Sequence, residues 1–92
     1  MNIYQKFNLH RKIKDVVGPN VVVFFTDHTW DGTVLMAKTF GEDAERVVNA
    51  IPTMPHAGTG ETAVAGCVID QFEAHREALR SAGYTVVLVD IA

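Results

Sequence analysis

The run Val21-Val22-Val23-Phe24-Phe25 constrains this chain more than any other stretch. Branched and ring side chains pack well on a pleated surface, so three valines followed by two phenylalanines favour extended backbone. With no polar residue among them, they predict a buried strand. Gly18-Pro19-Asn20 precedes the run and separates it from anything helical, because proline cannot continue a helix. After it, residues 26–32 (TDHTWDG) carry turn chemistry, with Asp31-Gly32 able to take positive φ. Thr33 to Phe40 is apolar and β-branched again. Residues 21–40 therefore predict an antiparallel hairpin with a loop longer than the minimum.

The flanking segments read as helices and further strands. Leu9, Ile13, Val16 and Val17 make a helical apolar stripe within a first helix from about Ile3 to Val17. Directly after Phe40, Ala44, Val47, Val48 and Ile51 make a second stripe. Glu42, Asp43 and Glu45 crowd that helix's first turn, where the dipole favours anions. Gly41 lets the chain bend out of the sheet, and Pro52 ends the helix at Ile51. Residues 52–61 (PTMPHAGTGE) predict a loop, and Thr62 to Ile69 a third strand. Asp70 and Glu73 resemble a capping box opening a helix from Gln71 to Ala82, with Gly83 at the usual C′ position. Tyr84 to Ile91 is the last strand. The order α-β-β-α-β-α-β predicts an α+β class: one domain over residues 1–92, a four-stranded mixed sheet with helices packed on it.

Composition narrows the function classes. Hydrophobic residues make up 48% and charged residues 21% of the 92, a globular balance. No apolar run approaches the length of about 20 residues that a membrane span needs. The opening MNIYQKFNLHRK has no apolar core with a small-residue cleavage site, so no secretory signal is expected. Cys67 is the single cysteine, which excludes an intramolecular disulfide and fits a cytoplasmic location. A net charge of −3 argues against nonspecific coating of nucleic acid. The charge is uneven: Lys6, Arg11, Lys12 and Lys14 all precede the first acid, Asp15.

No catalytic set emerges. His10, His28, His56 and His75 are scattered, and none forms a ligand-spaced pair with Cys67, so neither metal nor cofactor is expected. His75 shares a helix face with Phe72 and Leu79 and reads as a half-buried packing residue. The HAGTGET stretch (56–62) lacks the lysine and spacing of a P-loop and reads as a flexible connection. Cys67 reads as a small buried apolar residue. No serine, histidine and acid share a nucleophile context.

What survives is a surface on the first helix. Tyr4, Phe7, Arg11 and Lys14 fall within an arc of about 80°, with Leu9, Ile13 and Val16 opposite. An aromatic-plus-basic face suits stacking on bases, gripping phosphates or docking on an acidic protein. The competing reading folds Tyr4 and Phe7 over the sheet edge and leaves the cations solvated. Lys6, Lys12 and Lys38 add positive charge to the same candidate surface. Trp30, at the hairpin tip, reads equally as a partner anchor or as a ring tucked onto its own hairpin. If the face is real, Arg11→Glu with Lys14→Glu should abolish binding with little loss of stability, because exposed charges contribute little to folding.

Three stretches resemble the N-terminal, mismatch-reading domain of the MutS DNA mismatch-repair family. YQKFNLHRKIKDVVGPNVVVFF is similar to that domain's opening helix and first strand. FGEDAERV resembles its strand-to-helix junction, an F-x-x-D-A run. AGCVIDQFEAHREALRSAGYTVVLVD looks like its stretch from an Ala-Gly pair (Ala65-Gly66 here) through a helix to Gly-Tyr (Gly83-Tyr84) and a final strand. The resemblance implies the fold without the reading chemistry. The family's lesion-inserting phenylalanine position holds Met36 here, its glutamate position Lys38, and Val68 and Asp70 replace its Pro and His. The family's ATPase, clamp and dimerisation regions are not in these 92 residues. In size and style the chain is also similar to small phage-encoded anti-CRISPR and anti-restriction proteins.

Together these readings predict a non-enzymatic binding protein acting on a nucleic-acid-processing complex. Its partner would be a protein or ribonucleoprotein, with contact to an RNA or DNA backbone left open. Neither a membrane nor a small-molecule substrate is expected. The alternative is a DNA-binding accessory module related to mismatch recognition.

Overall fold

The first helix, α1 (Ile3–Val17), starts on a reciprocal cap: Asn2 Oδ1 accepts the Gln5 N–H at 2.9 Å and Gln5 Oε1 accepts the Asn2 N–H at 2.8 Å. Each bond satisfies a first-turn amide that has no partner within the helix. In this computed structural model, which describes residues 1–29 and 31–92, α1 leads into the hairpin. Strands β1 (Val21–His28) and β2 (Leu35–Phe40) pair antiparallel, with Phe25 opposite Lys38 and His28 opposite Leu35. Asp31 organises the connection, accepting the Thr29 hydroxyl at 2.6 Å and the Thr33 N–H at 3.1 Å.

Helix α2 (Gly41–Ala50) follows β2 without an intervening residue. Gly41 makes the corner at φ +60°, where a side chain would be strained, and its N–H donates to Ala63 O at 2.9 Å. After it the chain forms β3 (His56–Ala57), a 3-10 turn (Gly60–Thr62), β4 (Val64–Val68), a second 3-10 turn (Ile69–Gln71), α3 (Phe72–Ser81) and β5 (Thr85–Asp90). The described residues form one five-stranded sheet in the order β3-β4-β2-β1-β5, all neighbours antiparallel except β1 and β5.

The sheet therefore has five strands, not the four that the sequence predicts. The added strand is β3, two residues long, which pairs His56 with Ala65 and Ala57 with Val64. Two residues between Pro55 and Gly58 carry no alternation to read, and the pairing depends on β4 lying alongside. The segment is accordingly not the flexible connection expected: Gly66 N–H reaches Pro55 O at 3.1 Å and Thr62 Oγ1 donates to Thr59 O at 3.0 Å. The capping box expected at Asp70 and Glu73 also fails, because a 3-10 turn precedes α3 and Gln71 caps it without a side-chain bond.

The sheet separates two cores. On one face, α2 and α3 bring Ala44, Val47, Phe72 and Leu79 against Val22, Phe24, Ala65 and Cys67. On the other, α1 covers Val23, Phe25 and Phe40. Alternate residues of β1 thus feed opposite cores, which explains the run without polar residues. Burial of a valine or phenylalanine side chain contributes about 1.5–3 kcal/mol, so the four fully buried residues Val22 to Phe25 are a substantial part of the driving force.

Candidate functional site

Two buried carboxylates set the geometry of α1. Strand β2 turns away at Phe40, so the β1–β2 pairing ends at Phe25 and Lys38 and leaves the N–H and C=O of Val23 without a strand partner on that side. Side chains take the strand's place. Asp43 Oδ2 accepts the Val23 N–H at 3.0 Å, and Thr39 Oγ1 donates to Val23 O at 2.8 Å. His10 Nε2 lies 3.0 Å from Val23 O and 3.2 Å from Asp43 Oδ2. Both neighbours are acceptors, so that nitrogen carries the proton. Lys14 Nζ meets Asp43 Oδ1 at 2.9 Å and also bonds Val21 O, while Arg46 reaches Oδ1 at 3.2 Å. Burial pushes the Asp43 carboxyl up, but the bonds from His10, Val23 N–H and Lys14 outweigh it and hold the group below its ordinary value of 3.8.

The second carboxylate is Asp27, on the same face of β1. Lys6 Nζ lies 2.7 Å from Oδ2 and Lys38 Nζ 3.4 Å from it, while the His28 N–H donates to Oδ1 at 2.9 Å. Lys38 also donates to His28 O at 3.0 Å. Burial again opposes the charged form, and the Lys6 hydrogen bond with the Lys38 charge keeps the carboxyl low. The stem of Lys38 lies across Gly66, whose missing Cβ would stand 3.0 Å from Lys38 Cγ and 2.8 Å from Ala37 O.

These pairs overturn the expected two-sided first helix. The buried stripe of α1 is centred on His10, flanked by Lys6, Phe7, Ile13 and Lys14, whereas Val16 is 86% exposed. Apolar periodicity misses that stripe because its inward-facing members include a histidine and two lysines whose heads find partners in the sheet. Lys14, held on Asp43, and Lys6 and Lys38, which share Asp27, are therefore structural cations. Lys14→Glu would set a carboxylate against buried Asp43, so the expectation that it leaves stability intact is wrong. Lys12 is exposed, about 100° around the helix from Arg11. Phe7 is half-buried, packed edge-on against Phe40 with ring centroids 5.3 Å apart. Trp30 lies outside the described residues.

Tyr4 and Arg11 are left as the projecting pair. Tyr4 is 75% exposed, and Arg11 is exposed and, among the described residues, bonds Asn8 Oδ1 at 2.8 Å with no carboxylate partner. Between them and the start of α2 runs an open groove of about 490 Å³, with Phe7 and Phe40 at its apolar floor and Glu42, Glu61 and Thr62 on the far wall. Four carboxylates and two cations line it. Lys14 is held on Asp43 and Glu42 has a loose partner in Arg46, so among the groove's described lining residues Asp15, Glu42 and Glu61 outnumber the remaining cation, Arg11. The surface expected to be basic is an acid-rimmed groove.

Elsewhere, His75 is half-buried on α3, and burial pushes the Cys67 thiol up. His56 Nδ1 donates to Met54 O at 2.7 Å. Among the described residues no helix is long and apolar enough to cross a membrane, and no three histidine, cysteine or acidic side chains converge as a metal site. No protein-family model matches the chain, and no curated protein matches it.

Proposed function

We propose that this chain is a non-enzymatic binding protein that docks on a protein partner through the groove between α1 and the start of α2. The observation that carries the reading is Tyr4: an aromatic ring standing out at the lip of a groove floored by two further rings. Exposed aromatic anchors beside apolar depressions dominate the energetics of protein interfaces. The scaffold behind the ring is rigid, because Asp43 and Asp27 pin the buried side of α1 to the sheet. The polar groups of buried His10 and Asp43 and half-buried Lys14 are engaged in that pinning, so we assign them a structural role and not a catalytic one.

The partner belongs, in this reading, to a nucleic-acid-processing assembly. The order of motifs similar to a mismatch-reading domain supports that placement, and the small size suits an inhibitor of anti-CRISPR or anti-restriction type that acts by steric occlusion. The alternative of an accessory module gripping DNA is less well supported, since Lys6 and Lys38 are held by Asp27 and Lys14 by Asp43. The test is co-purification of the tagged full chain from its native host, with and without nuclease, comparing wild type with Tyr4→Ala. A nuclease-resistant partner retained by wild type and lost with Tyr4→Ala is the expected result. Retention by both, or loss on nuclease treatment, would refute the docking site.

A further inference from the structure

The charge of the groove identifies what it can accept. We infer that its occupant is a cationic segment of a protein partner, an aromatic or aliphatic anchor flanked by arginine or lysine. This rests on the groove being the working surface and adds the chemistry of its ligand.

Charge complementarity carries the inference. Asp15, Glu42 and Glu61 rim the groove, and among its described lining residues the cation without a carboxylate partner is Arg11. Glu42 lies 3.5 Å from Arg46, but its side chain is 83% exposed, and such a surface pair holds its members weakly. Helix α2 points its positive end into the same region, yet Glu42 and Asp43 occupy the first turn and oppose an incoming anion. A phosphate backbone would approach three carboxylates with one guanidinium to compensate, whereas a basic peptide would pair with those carboxylates. The apolar part of the ligand has a place as well. Half-buried Phe7, backed by buried Phe40, gives the groove an apolar lining, and the exposed ring of Tyr4 stands beside it. A volume near 490 Å³ lies within the range of about 300–1,000 Å³ typical of sites that accept compact ligands. The exposed ring of Tyr4 can also hold a cation over its face, so the aromatic and acidic features favour the same ligand.

The test uses the full chain and three labelled probes in fluorescence anisotropy at low and physiological salt. The first is a short peptide with a tryptophan anchor between arginines and lysines. The second has the same anchor between glutamates, and the third is a single-stranded oligonucleotide. The basic peptide is expected to bind best, with affinity falling as salt rises. Glu42→Lys combined with Glu61→Lys should weaken it about tenfold or more, while Arg11→Glu should leave it equal or tighter. Thermal unfolding near the wild-type midpoint verifies that the charge-reversed chain is folded. The inference is overturned if the oligonucleotide or the acidic peptide binds better, if charge reversal strengthens binding of the basic peptide, or if the basic peptide does not bind. Sensitivity of the native partner to Tyr4→Ala but not to Glu42→Lys with Glu61→Lys would overturn the cation preference while sparing the groove. Insensitivity to Tyr4→Ala would remove the groove itself.

Discussion

Replacing Asp43 with asparagine tests the pinning of α1 most sharply. The carboxylate is buried and receives the Val23 N–H, His10, Lys14 and Arg46. An asparagine keeps the shape but has one acceptor oxygen, and its NH₂ must face donors on one side or the other. Removing one partner of a buried ion pair costs about 3–5 kcal/mol, and a buried donor left unsatisfied about 1–3 kcal/mol. Lys14 and Arg46 can relax toward water, since their side chains are 16% and 27% exposed, which places the loss near the lower figure, about 3 kcal/mol. That is a large share of the roughly 5–15 kcal/mol that stabilises a typical domain. In urea unfolding followed by circular dichroism, the midpoint should fall by about 1–3 M at unchanged slope, given slopes of about 1–3 kcal/mol/M. Adding Lys14→Met should cost less than the sum of the single changes, because the charge left unpaired is then gone. A loss below about 0.5 kcal/mol, the range of ordinary surface substitutions, would refute the pinning role.

Four further outcomes follow from the same contacts. Because Asp43 has a folded pKa below its ordinary 3.8, its contribution is complete above that value and is lost as the pH falls through the lower folded value; an acid titration of stability should show this limb in wild type and lack it in Asp43→Asn. Arg11→Glu should leave the thermal midpoint unchanged, whereas Lys14→Glu should lower it sharply, and equal effects would contradict the two placements. Gly66→Ala should destabilise by about 1–3 kcal/mol in thermal denaturation, since a Cβ there meets Ala37 O at 2.8 Å; a neutral result would mean that β2 and β4 separate easily. Cys67 should react slowly with a thiol reagent in native buffer and rapidly in urea, because burial both shields the sulfur and disfavours the thiolate; equal rates would contradict its place in the core.

The parts of the fold legible in the sequence are those where local chemistry and tertiary packing agree. The VVVFF run, the Gly41 corner and the stripe of Ala44, Val47 and Val48 give β1, the β2–α2 junction and α2 close to their observed bounds. Strand β3 was illegible because His56 and Ala57 become a strand only when β4 lies beside them. The buried face of α1 is only partly legible for a related reason: Leu9 and Ile13 pack on the core as their spacing implies, but Val16 does not. His10, Lys6 and Lys14 read as polar, and nothing local reveals that Asp43 and Asp27 wait for them across the sheet. A histidine at the centre of a Lys6-His10-Lys14 spacing of four was the available signal, visible only to a reading that asks where a helical charge stripe could find anions. Tyr4 and Arg11, which their spacing places on one flank of the helix, are both exposed. The acidic wall opposite them comes from α2 and the 3-10 turn, which no spacing within α1 could disclose.

An aromatic photo-crosslinking amino acid that keeps a phenyl ring in place of Tyr4, activated in the native host, tests the docking surface most directly. A second copy carrying the same group at Glu77, an exposed site on α3, serves as the control. The groove predicts a discrete protein adduct from position 4 that survives nuclease, is absent from position 77, and diminishes when Glu42 and Glu61 are changed to lysine. Adducts that disappear with nuclease, or that form equally from both positions, would contradict it.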